Sequence, residues 1–410
     1  MTLATPLPAP TPARSSRWGL IGTLALGFAT TMSVSSLMTG FGVLYPAMIR
    51  DQGWSVGEVS GAYSVSQLVY GPVAILAGLC LDRFGVRSTM LVGCVFVALG
   101  LFWMSSADVL WEVYLAWVLV AGVGTGAAGF VSMFKLLSLR MGSHFGLGLG
   151  VATTGPGMGM LVTATSLQYL VDQEGWRVAS LALGAAFLLV MVPLIVWAAP
   201  GRVLVVAGAH AGMKLSRRWV LGQPAFWMVF GAGFCVGYLL LLQAHQVAHL
   251  LQVGFSTTTA AALDGVMGVF QSLGALAAGW LVGRIGVSRL QMLGSLMVTA
   301  GLLALIFATP TLLVLPLLYA LVGATGRGAW TVSYMSVARI RFGGSSFGFV
   351  SGVLEIAVGV GSFAGAGLVG LLADRTGSYV PGLWTALVIA IATSAFIIAG
   401  ITLPMRRARD

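Results

Sequence analysis

The feature that most constrains this chain is a succession of long apolar runs separated by short charged segments. The clearest charged segment is GLCLDRFGVR, residues 78–87. Each bare charge is costly in hydrocarbon, so we expect this segment to form a tight loop between two membrane helices at the water interface. Within it, Gly78 allows close helix contact, Gly85 supplies the turn, and Arg83 and Arg87 favour the cytoplasmic side.

Weaker versions of this charged segment recur around Asp172, Gly283 and Asp374. Successive versions lie about 90 residues apart, except for a longer middle interval that fits one polar linker. A unit of about 90 residues holds three membrane spans of ~20–25 residues with their short loops. Four such units predict an all-α membrane protein with twelve transmembrane helices in two six-helix halves.

The composition supports a membrane protein and argues against a soluble one. Only 8% of the residues are charged and 58% are hydrophobic, whereas soluble domains contain about 25% charged residues. The net charge of +10 does not indicate nucleic-acid binding, because the basic residues fall in loops. Cys80, Cys94 and Cys235 lie in apolar surroundings without ligand spacing, so we expect free thiols.

The apolar runs divide the chain into five regions. Residues 1–17, with four prolines among Ala and Thr, are predicted to be a disordered cytoplasmic tail. Residues 18–200 form the first six-helix half, 201–222 a cytoplasmic linker, 223–404 the second half, and 405–410 a cytoplasmic tail. Alternate loops hold most of the Arg and Lys residues, so both termini are predicted to be cytoplasmic. We therefore expect a multi-pass protein of the cell (plasma or inner) membrane.

The residues of the charged segment match a known pattern. Gly78, Asp82, Arg83, Gly85 and Arg87 follow G-x-x-x-D-R-x-G-x-R, and the segment resembles the signature loop of the major facilitator superfamily. Three more stretches are similar to its monocarboxylate transporter branch and the bacterial oxalate/formate antiporters: Phe41–Pro46 with Gly53–Ser55, Gly146–Gly155, and Gln223–Trp227. The resemblance implies 3+3+3+3 helix repeats, alternating access gated by the signature-loop residues, and a transporter rather than an enzyme, without cofactors.

The chain departs from this branch at two positions. The branch carries an arginine in the eighth span, thought to bind a substrate carboxylate, where this chain has Ala275. It also has Gly283 where the second-half loop usually has Asp. A carboxylate substrate therefore does not follow from the resemblance alone. Transport of a small, monocarboxylate-like organic anion and efflux of apolar or amphipathic compounds both stay open.

Charged residues within the predicted spans are the main candidates for function, because such residues are costly in lipid. Arg327 lies near the middle of the tenth span between two glycines, and its guanidinium could bind an anion through two hydrogen bonds. The alternative is a structural ion pair with Glu355 in the eleventh span. Glu355 is also the candidate proton-coupling carboxylate. Lys135 is expected to extend to the lipid headgroups rather than into a cavity.

Three more ionisable residues lie near the outer ends of spans seven and eight. His245 and His249 are four residues apart and share a helix face, and Asp264 opens the next span. They could form a proton relay, or they could be a polar, hydrated helix end. A metal site would need a third ligand with outer-shell support, which the sequence does not show. The uncharged cavity candidates are Ser33, Ser35, Tyr114, Tyr238 and Tyr334.

Other functional classes fit less well. An intramembrane enzyme needs clustered acidic or His/Glu groups, whereas the 11 acidic residues are scattered. No Walker-type GxxxxGK[ST] run occurs, so ATP-driven transport is not expected. The sequence predicts a monomeric secondary transporter whose partners are a small-molecule substrate, a proton or counter-substrate, and the lipid bilayer.

Overall fold

A computed structural model describes residues 17–201, 216–344 and 346–405. In these ranges all regular secondary structure is helical. The predicted tail at 1–16, residues 202–215 of the predicted linker, and the predicted tail at 406–410 lie outside the described residues.

Six helices form the first half of the bundle. They begin with α1 (Arg17–Gln52), α2 (Val56–Phe84), α3 (Val86–Ser105) and α4, which combines Leu110–Trp117, the π-helical Val118–Gly124, Thr125–Ala128 and Phe130–Arg140. The helical stretch Gly155–Ala198 is interrupted by Gly175, which has φ 81° and ψ 169°. Helix α5 therefore comprises Phe145–Ala152 and 155–174, and α6 comprises 176–198.

Six helices form the second half, after a short helix at Arg217–Leu221. They are α7 (Pro224–Val253), α8 (Thr257–Ile285), α9 (Val287–Ile306), α10, α11 (Phe347–Thr376) and α12 (Val380–Thr402). Helix α10 combines Val314–Leu318, the π-helical Tyr319–Gly323 and Ala324–Phe342. Thus α4 and α10, which are equivalent in the two halves, both contain a π-helical segment.

The number of membrane spans follows from this division. In the described chain, 9 helical stretches are long and apolar enough to cross a membrane, and α7 makes a tenth despite a bend of 42°. One stretch is Gly142–Ala198, which holds both α5 and α6. Helix α10 is outside the set and carries Arg327 in its middle. Counting these two gives the twelve helices that the sequence predicts, and the all-α fold is confirmed.

Glycines make the tight turns at the end of the bundle that holds the signature loop. Gly85 joins α2 to α3 with φ 89°, and Gly286 joins α8 to α9 with φ 81°. Both φ values lie in the left-handed region that favours glycine, so the predicted turn at Gly85 is confirmed. We call this end the basic end, because Arg83, Arg284 and Arg341 all lie there.

The two halves meet along two helix pairs, which we call the α2–α11 seam and the α5–α8 seam. Near the basic end the backbones touch: a Cβ at Gly78 would lie 2.2 Å from the Gly348 carbonyl oxygen, and one at Gly279 would lie 2.4 Å from that of Gly146. Such contacts need residues without side chains. The basic end is therefore closed.

The same helix faces separate toward the opposite end of the bundle. Two turns beyond the closed seams, a Cβ at Gly157 of α5, Gly268 of α8 or Gly359 of α11 would meet no atom within 4 Å. The halves therefore enclose a cleft that is closed at the basic end and open at the other end.

Candidate transport site

Asp82 connects the halves at the closed end of this cleft. Its Oδ1 accepts hydrogen bonds from Lys135 Nζ at 2.8 Å and from the Gly348 backbone N–H at 3.0 Å, and its Oδ2 accepts one from the Phe349 N–H at 3.0 Å. Lys135 also donates to the Gly344 carbonyl oxygen at 3.3 Å. The carboxylate thus occupies the N-terminus of α11, where free N–H groups and the helix dipole favour an anion.

The expectation that Lys135 extends to the headgroups is wrong. Its side chain is 4% exposed and forms an ion pair with Asp82, which is 13% exposed. A partly buried carboxylate supplies the partner that a lysine otherwise finds at the membrane surface. Lys135 therefore belongs to the contact between the halves.

The other signature-loop residues have different positions. Arg83 is exposed, with its guanidinium carbon 5.2 Å from the Phe84 ring centroid. Arg87 donates to the Val196 carbonyl oxygen at the end of α6, within the first half. The structure therefore brings Gly78 and Asp82 to the α2–α11 seam, while Gly85 makes the turn. A gating role for the loop as a whole stays a prediction.

Arg327 is a buried cation without a hydrogen-bond partner among the described residues. It is 9% exposed, and its Nε and Nη2 are buried and unbonded. Its guanidinium carbon lies 5.7 Å from the centroid of the Tyr319 ring. A buried charged group that lacks partners is costly; that this position binds an anion stays a prediction.

A hydrogen-bonded chain that sequence reasoning missed lies behind Arg327. The Tyr319 hydroxyl donates to Gln246 Oε1 at 2.5 Å, and Gln246 Nε2 donates to Asp264 Oδ1 at 2.8 Å. Tyr319 is 2% exposed and Gln246 is fully buried. The chain joins α10, α7 and α8. Gln246, between the two predicted histidines, is thus a bonded neighbour of Asp264.

Glu355 lies on the α2–α11 seam, apart from Arg327. It is 9% exposed and accepts a hydrogen bond at 3.2 Å from the hydroxyl of Tyr70, a residue that sequence reasoning also missed. Tyr334 interacts with Glu355 electrostatically, and its hydroxyl is buried without a hydrogen bond among the described residues. The ion pairs of the described chain are Lys135–Asp82 and Arg177–Asp108, so Arg327 and Glu355 are not paired in this conformation.

Depth explains this separation. Glu355 lies 8 residues from the start of α11 at Phe347, whereas Arg327 lies 15 residues from the end of α10 at Phe342. Both counts start at the basic end, and a rise of about 1.5 Å per residue puts the two residues ~10 Å apart along the bundle.

The position of the branch arginine is part of the α5–α8 seam. Ala275 is 2% exposed. A Cβ at Gly150 of α5 would lie 2.5 Å from the Ala275 carbonyl oxygen, and one at Gly328 of α10 would lie 2.5 Å from the Ala275 nitrogen. The backbones of α5 and α10 therefore pack against this turn of α8. Arg327 directly precedes Gly328, the α10 residue that makes this contact.

The two histidines contact different helices. His249 is 1% exposed, with Nε2 3.1 Å from the Leu305 carbonyl oxygen of α9 and Nδ1 buried and unbonded among the described residues. The His245 ring centroid lies 5.8 Å from that of Tyr379, just before α12. A proton relay through these residues stays a prediction. Among the described residues no group of three or more His, Cys, Asp or Glu side chains could hold a metal ion.

The uncharged candidates are spread over the bundle. The Tyr238 hydroxyl lies 2.6 Å from Thr385 Oγ1 on α12, and the Tyr114 hydroxyl donates at 2.7 Å to the Glu58 carbonyl oxygen near the open end. Ser35 donates at 2.9 Å to the Pro156 carbonyl oxygen, and Ser33 is half-buried on α1. Their role in a cavity stays a prediction.

Comparisons with known proteins agree with this architecture. The family model of the Major Facilitator Superfamily matches residues 20–366. Monocarboxylate transporter 13 of Rattus norvegicus is 27% identical over 94% of this chain and 89% of its own length, and monocarboxylate transporter 11 of Mus musculus is 28% identical over 97% and 88%.

Solved structures show the same fold. A crystal structure of the transporter FucP in the outward conformation has a TM-score of 0.70 at 16% identity, covering 94% of this chain and 99% of that one. A double-Trp mutant of XylE has a TM-score of 0.73 at 15% identity, covering 95% and 96%. At these identities the likeness concerns the fold alone. With the family match over most of its length, the chain belongs to the major facilitator superfamily.

Proposed function

We propose that this protein is a secondary active transporter of a small, monocarboxylate-like organic anion, and that Arg327 binds the carboxylate. The observation that carries the proposal is the pair of buried, unbonded Arg327 nitrogens, Nε and Nη2. These two N–H groups lie on one edge of the guanidinium, which matches the two oxygens of a carboxylate. The names of the relatives, monocarboxylate transporters 13 and 11, support the same substrate class.

Glu355 is the proposed proton-coupling group. The Tyr70–Glu355 hydrogen bond crosses the α2–α11 seam. A hydrogen bond to an ionised carboxylate is roughly twice as strong as one to a neutral group, so protonation of Glu355 weakens this contact between the halves. With the basic end in the cytoplasm, as the sequence predicts, the cleft faces the outside. An anion and a proton would then enter together, and both would be bound before the seam opens.

Uptake into proteoliposomes tests the anion site. Labelled monocarboxylates and dicarboxylates are offered to the wild type, Arg327→Lys, Arg327→Ala and the control Arg375→Ala, which changes an exposed arginine at the end of α11. We expect uptake of a monocarboxylate, a KM raised about tenfold or more in Arg327→Lys through loss of the paired hydrogen bonds, and loss of uptake in Arg327→Ala. The Arg375→Ala control should transport normally.

If the wild type carries no anion, the organic-anion function is refuted. Efflux of apolar compounds then becomes the leading function, and resistance to such compounds on expression would test it.

Proton coupling is tested separately. Uptake by the wild type should fall when an ionophore collapses the pH gradient, whereas uptake by Glu355→Gln should not respond. Wild-type uptake that ignores the gradient would contradict coupling while leaving the anion site in place.

A further inference from the structure

We infer that Tyr319 positions Arg327 for the anion, and that Gln246 and Asp264 hold Tyr319 in place. The inference rests on the proposed anion site and adds the residues that prepare it. It starts from the contact between Arg327 and the Tyr319 ring, 5.7 Å from guanidinium carbon to ring centroid. This distance is within the range of a cation–π interaction.

The π-helical segment of α10 makes this contact possible. Tyr319 begins that segment, and Arg327 follows eight residues later. In a regular α-helix, eight residues would put the two side chains about 80° apart around the axis. A π turn adds one residue to the turn, so the pair has nearly the spacing of seven α-helical residues, about 20° from the same face. The two side chains therefore share a face of α10.

Backbone of α9 and of α10 itself packs against one edge of the Tyr319 ring. A Cβ at Gly301 of α9 would lie 3.3 Å from Tyr319 Cδ2, and one at Gly323 of α10 would lie 3.0 Å from the same atom. The ring therefore fills the space beside these two glycines, where a side chain at either position would press on it.

The hydroxyl of Tyr319 is fixed by a chain that has one direction. A carboxylate only accepts hydrogen bonds, so Asp264 Oδ1 accepts one from the NH2 group of Gln246 at 2.8 Å. The amide oxygen of Gln246 then accepts a hydrogen bond from the Tyr319 hydroxyl at 2.5 Å. Both Gln246 and Tyr319 are buried, where an unmade hydrogen bond is not replaced by water. Asp264 thus orients Gln246, and Gln246 orients the phenol.

This arrangement suits an anion-binding arginine. An acidic partner would hold the guanidinium by its N–H groups, which are the groups a substrate carboxylate needs. The ring contacts the face of the guanidinium instead, and Nε and Nη2 stay unbonded. Arg327 is therefore held in place with its hydrogen-bond donors available.

The test compares two buried glutamines of the second half in the proteoliposome assay. Gln246→Leu breaks the chain to Tyr319. Gln291→Leu is the matched control, because Gln291 is also fully buried and donates at 3.1 Å to Ser295, on α9. We expect Gln246→Leu to raise the KM for the anion about tenfold with Vmax within about twofold, and Gln291→Leu to leave KM unchanged. Tyr319→Leu, which also loses the ring, should raise KM further, to about 30-fold.

A second comparison separates positioning from packing. In an Arg327→Lys background the guanidinium that Tyr319 orients is absent, so adding Gln246→Leu should raise KM by less than about twofold. Tyr319→Phe, which loses only the hydroxyl, gives the same test if Gln246→Leu does not reach the membrane. Wild-type anion uptake with an unchanged KM in Gln246→Leu and Tyr319→Phe would overturn the inference alone. Effects that multiply in the Arg327→Lys background would also overturn it, whereas absence of anion uptake by the wild type would overturn the proposed function as well.

Discussion

The two seams between the halves share one backbone arrangement and differ in charge. In the α2–α11 seam Gly78 faces Gly348, and in the α5–α8 seam Gly279 faces Gly146, with a built Cβ at 2.2 and 2.4 Å from the facing carbonyl oxygen. One turn farther in, Gly352 packs on Ala74 and Gly150 packs on Ala275. The two seams therefore use the same close backbone packing through small residues at equivalent positions.

The difference lies one turn toward the basic end. Asp82 of α2 binds Lys135 and two N–H groups of α11, whereas the equivalent position in α8 is Gly283, where a Cβ would meet nothing within 4 Å. In the α5–α8 seam the nearby cation is Arg339, whose guanidinium carbon lies 4.9 Å from the Phe145 ring centroid. Among the described residues, the carboxylate contacts at the basic end are thus concentrated in the α2–α11 seam, and we expect them to stabilise the closed state. The glycine contacts that both seams share then set how closely the halves approach.

The largest expected effect comes from removing the Asp82 charge. Asp82→Asn keeps the side-chain shape but leaves Lys135, 4% exposed, without a carboxylate. Lys135 and Asp82 both lie in the first half, so the contacts specific to the closed state are the hydrogen bonds from the Gly348 and Phe349 N–H groups of α11 to the Asp82 carboxylate. A hydrogen bond to a charged group contributes about 1.5–3 kcal/mol, so weakening these two bonds destabilises the closed state of the basic end. We expect the bundle to open there and uptake to fall at least about tenfold, because about 1.4 kcal/mol already changes a population tenfold.

Spin labels measure this opening directly. Ser88→Cys and Arg289→Cys place labels at exposed, equivalent positions of α3 and α9, in a background in which the three native cysteines are replaced. Asp82→Asn should add a longer distance to the distribution. The control is Asp374→Asn, which changes an exposed aspartate in another of the repeated charged segments. An unchanged distribution in Asp82→Asn would refute the prediction that the Asp82 charge stabilises the closed state of the basic end.

The sequence predicts the local parts of this comparison and not the pairings. The repeated charged segments show where α2 and α8 end, because lipid excludes charge from the spans. The turn at Gly85 follows from the same pattern. The partners of Asp82 do not: Gly348 is 266 residues away and Lys135 is 53 residues away. From the sequence of its own span alone, Lys135 is expected to extend to the lipid headgroups. Only the packing of α4 on α2, which brings it to Asp82, changes that interpretation.

The site shows the same limit. Arg327 and Glu355 are recognisable in sequence because a charge within an apolar run needs a reason, and both are buried. Tyr70, Gln246 and Tyr319 carry no charge, and uncharged polar residues are common in spans, so the pattern does not single them out. Their contacts join five helices, and one depends on a π-helical turn that hydrophobic periodicity does not reveal.

A smaller effect is expected from adding charge to the other seam. Gly283→Asp puts a carboxylate at the position equivalent to Asp82, and the open space there accepts a side chain. An anion near the N-terminus of α5 is favoured by about 0.3–1 kcal/mol, so the closed population should rise about two- to fivefold. We expect a shorter mean distance between the spin labels at positions 88 and 289, and slower uptake. Gly283→Ala is the matched control without charge, and an equal effect of both variants would show that bulk is responsible.

The smallest expected effect concerns how α2 and α8 begin. Ser55 and Glu58 form a capping box on α2, in which the Ser55 N–H donates to Glu58 Oε2 at 2.8 Å and the Glu58 N–H donates to Ser55 Oγ at 3.2 Å. At the equivalent start of α8, Ser256 accepts from the Thr259 N–H at 3.1 Å, but residue 259 has no carboxylate. The hydrogen bond from the Ser55 backbone holds the pKa of Glu58 below its usual value. Only α2 should therefore have a pH-dependent first turn.

The sign of this dependence follows from the lowered pKa. A depressed carboxyl pKa contributes stability above the pKa of the unfolded state, and this contribution is lost as the pH falls through the folded pKa. The protection of the first turn of α2, measured as its hydrogen-exchange rate relative to the intrinsic rate at each pH, should therefore fall on acidification more in the wild type than in Glu58→Gln, while α8 shows no difference between the two proteins. Thr259→Glu should give α8 the same response. An equal response of wild type and Glu58→Gln would mean that water replaces the carboxylate at this exposed cap, and that the contrast between α2 and α8 begins only at Asp82.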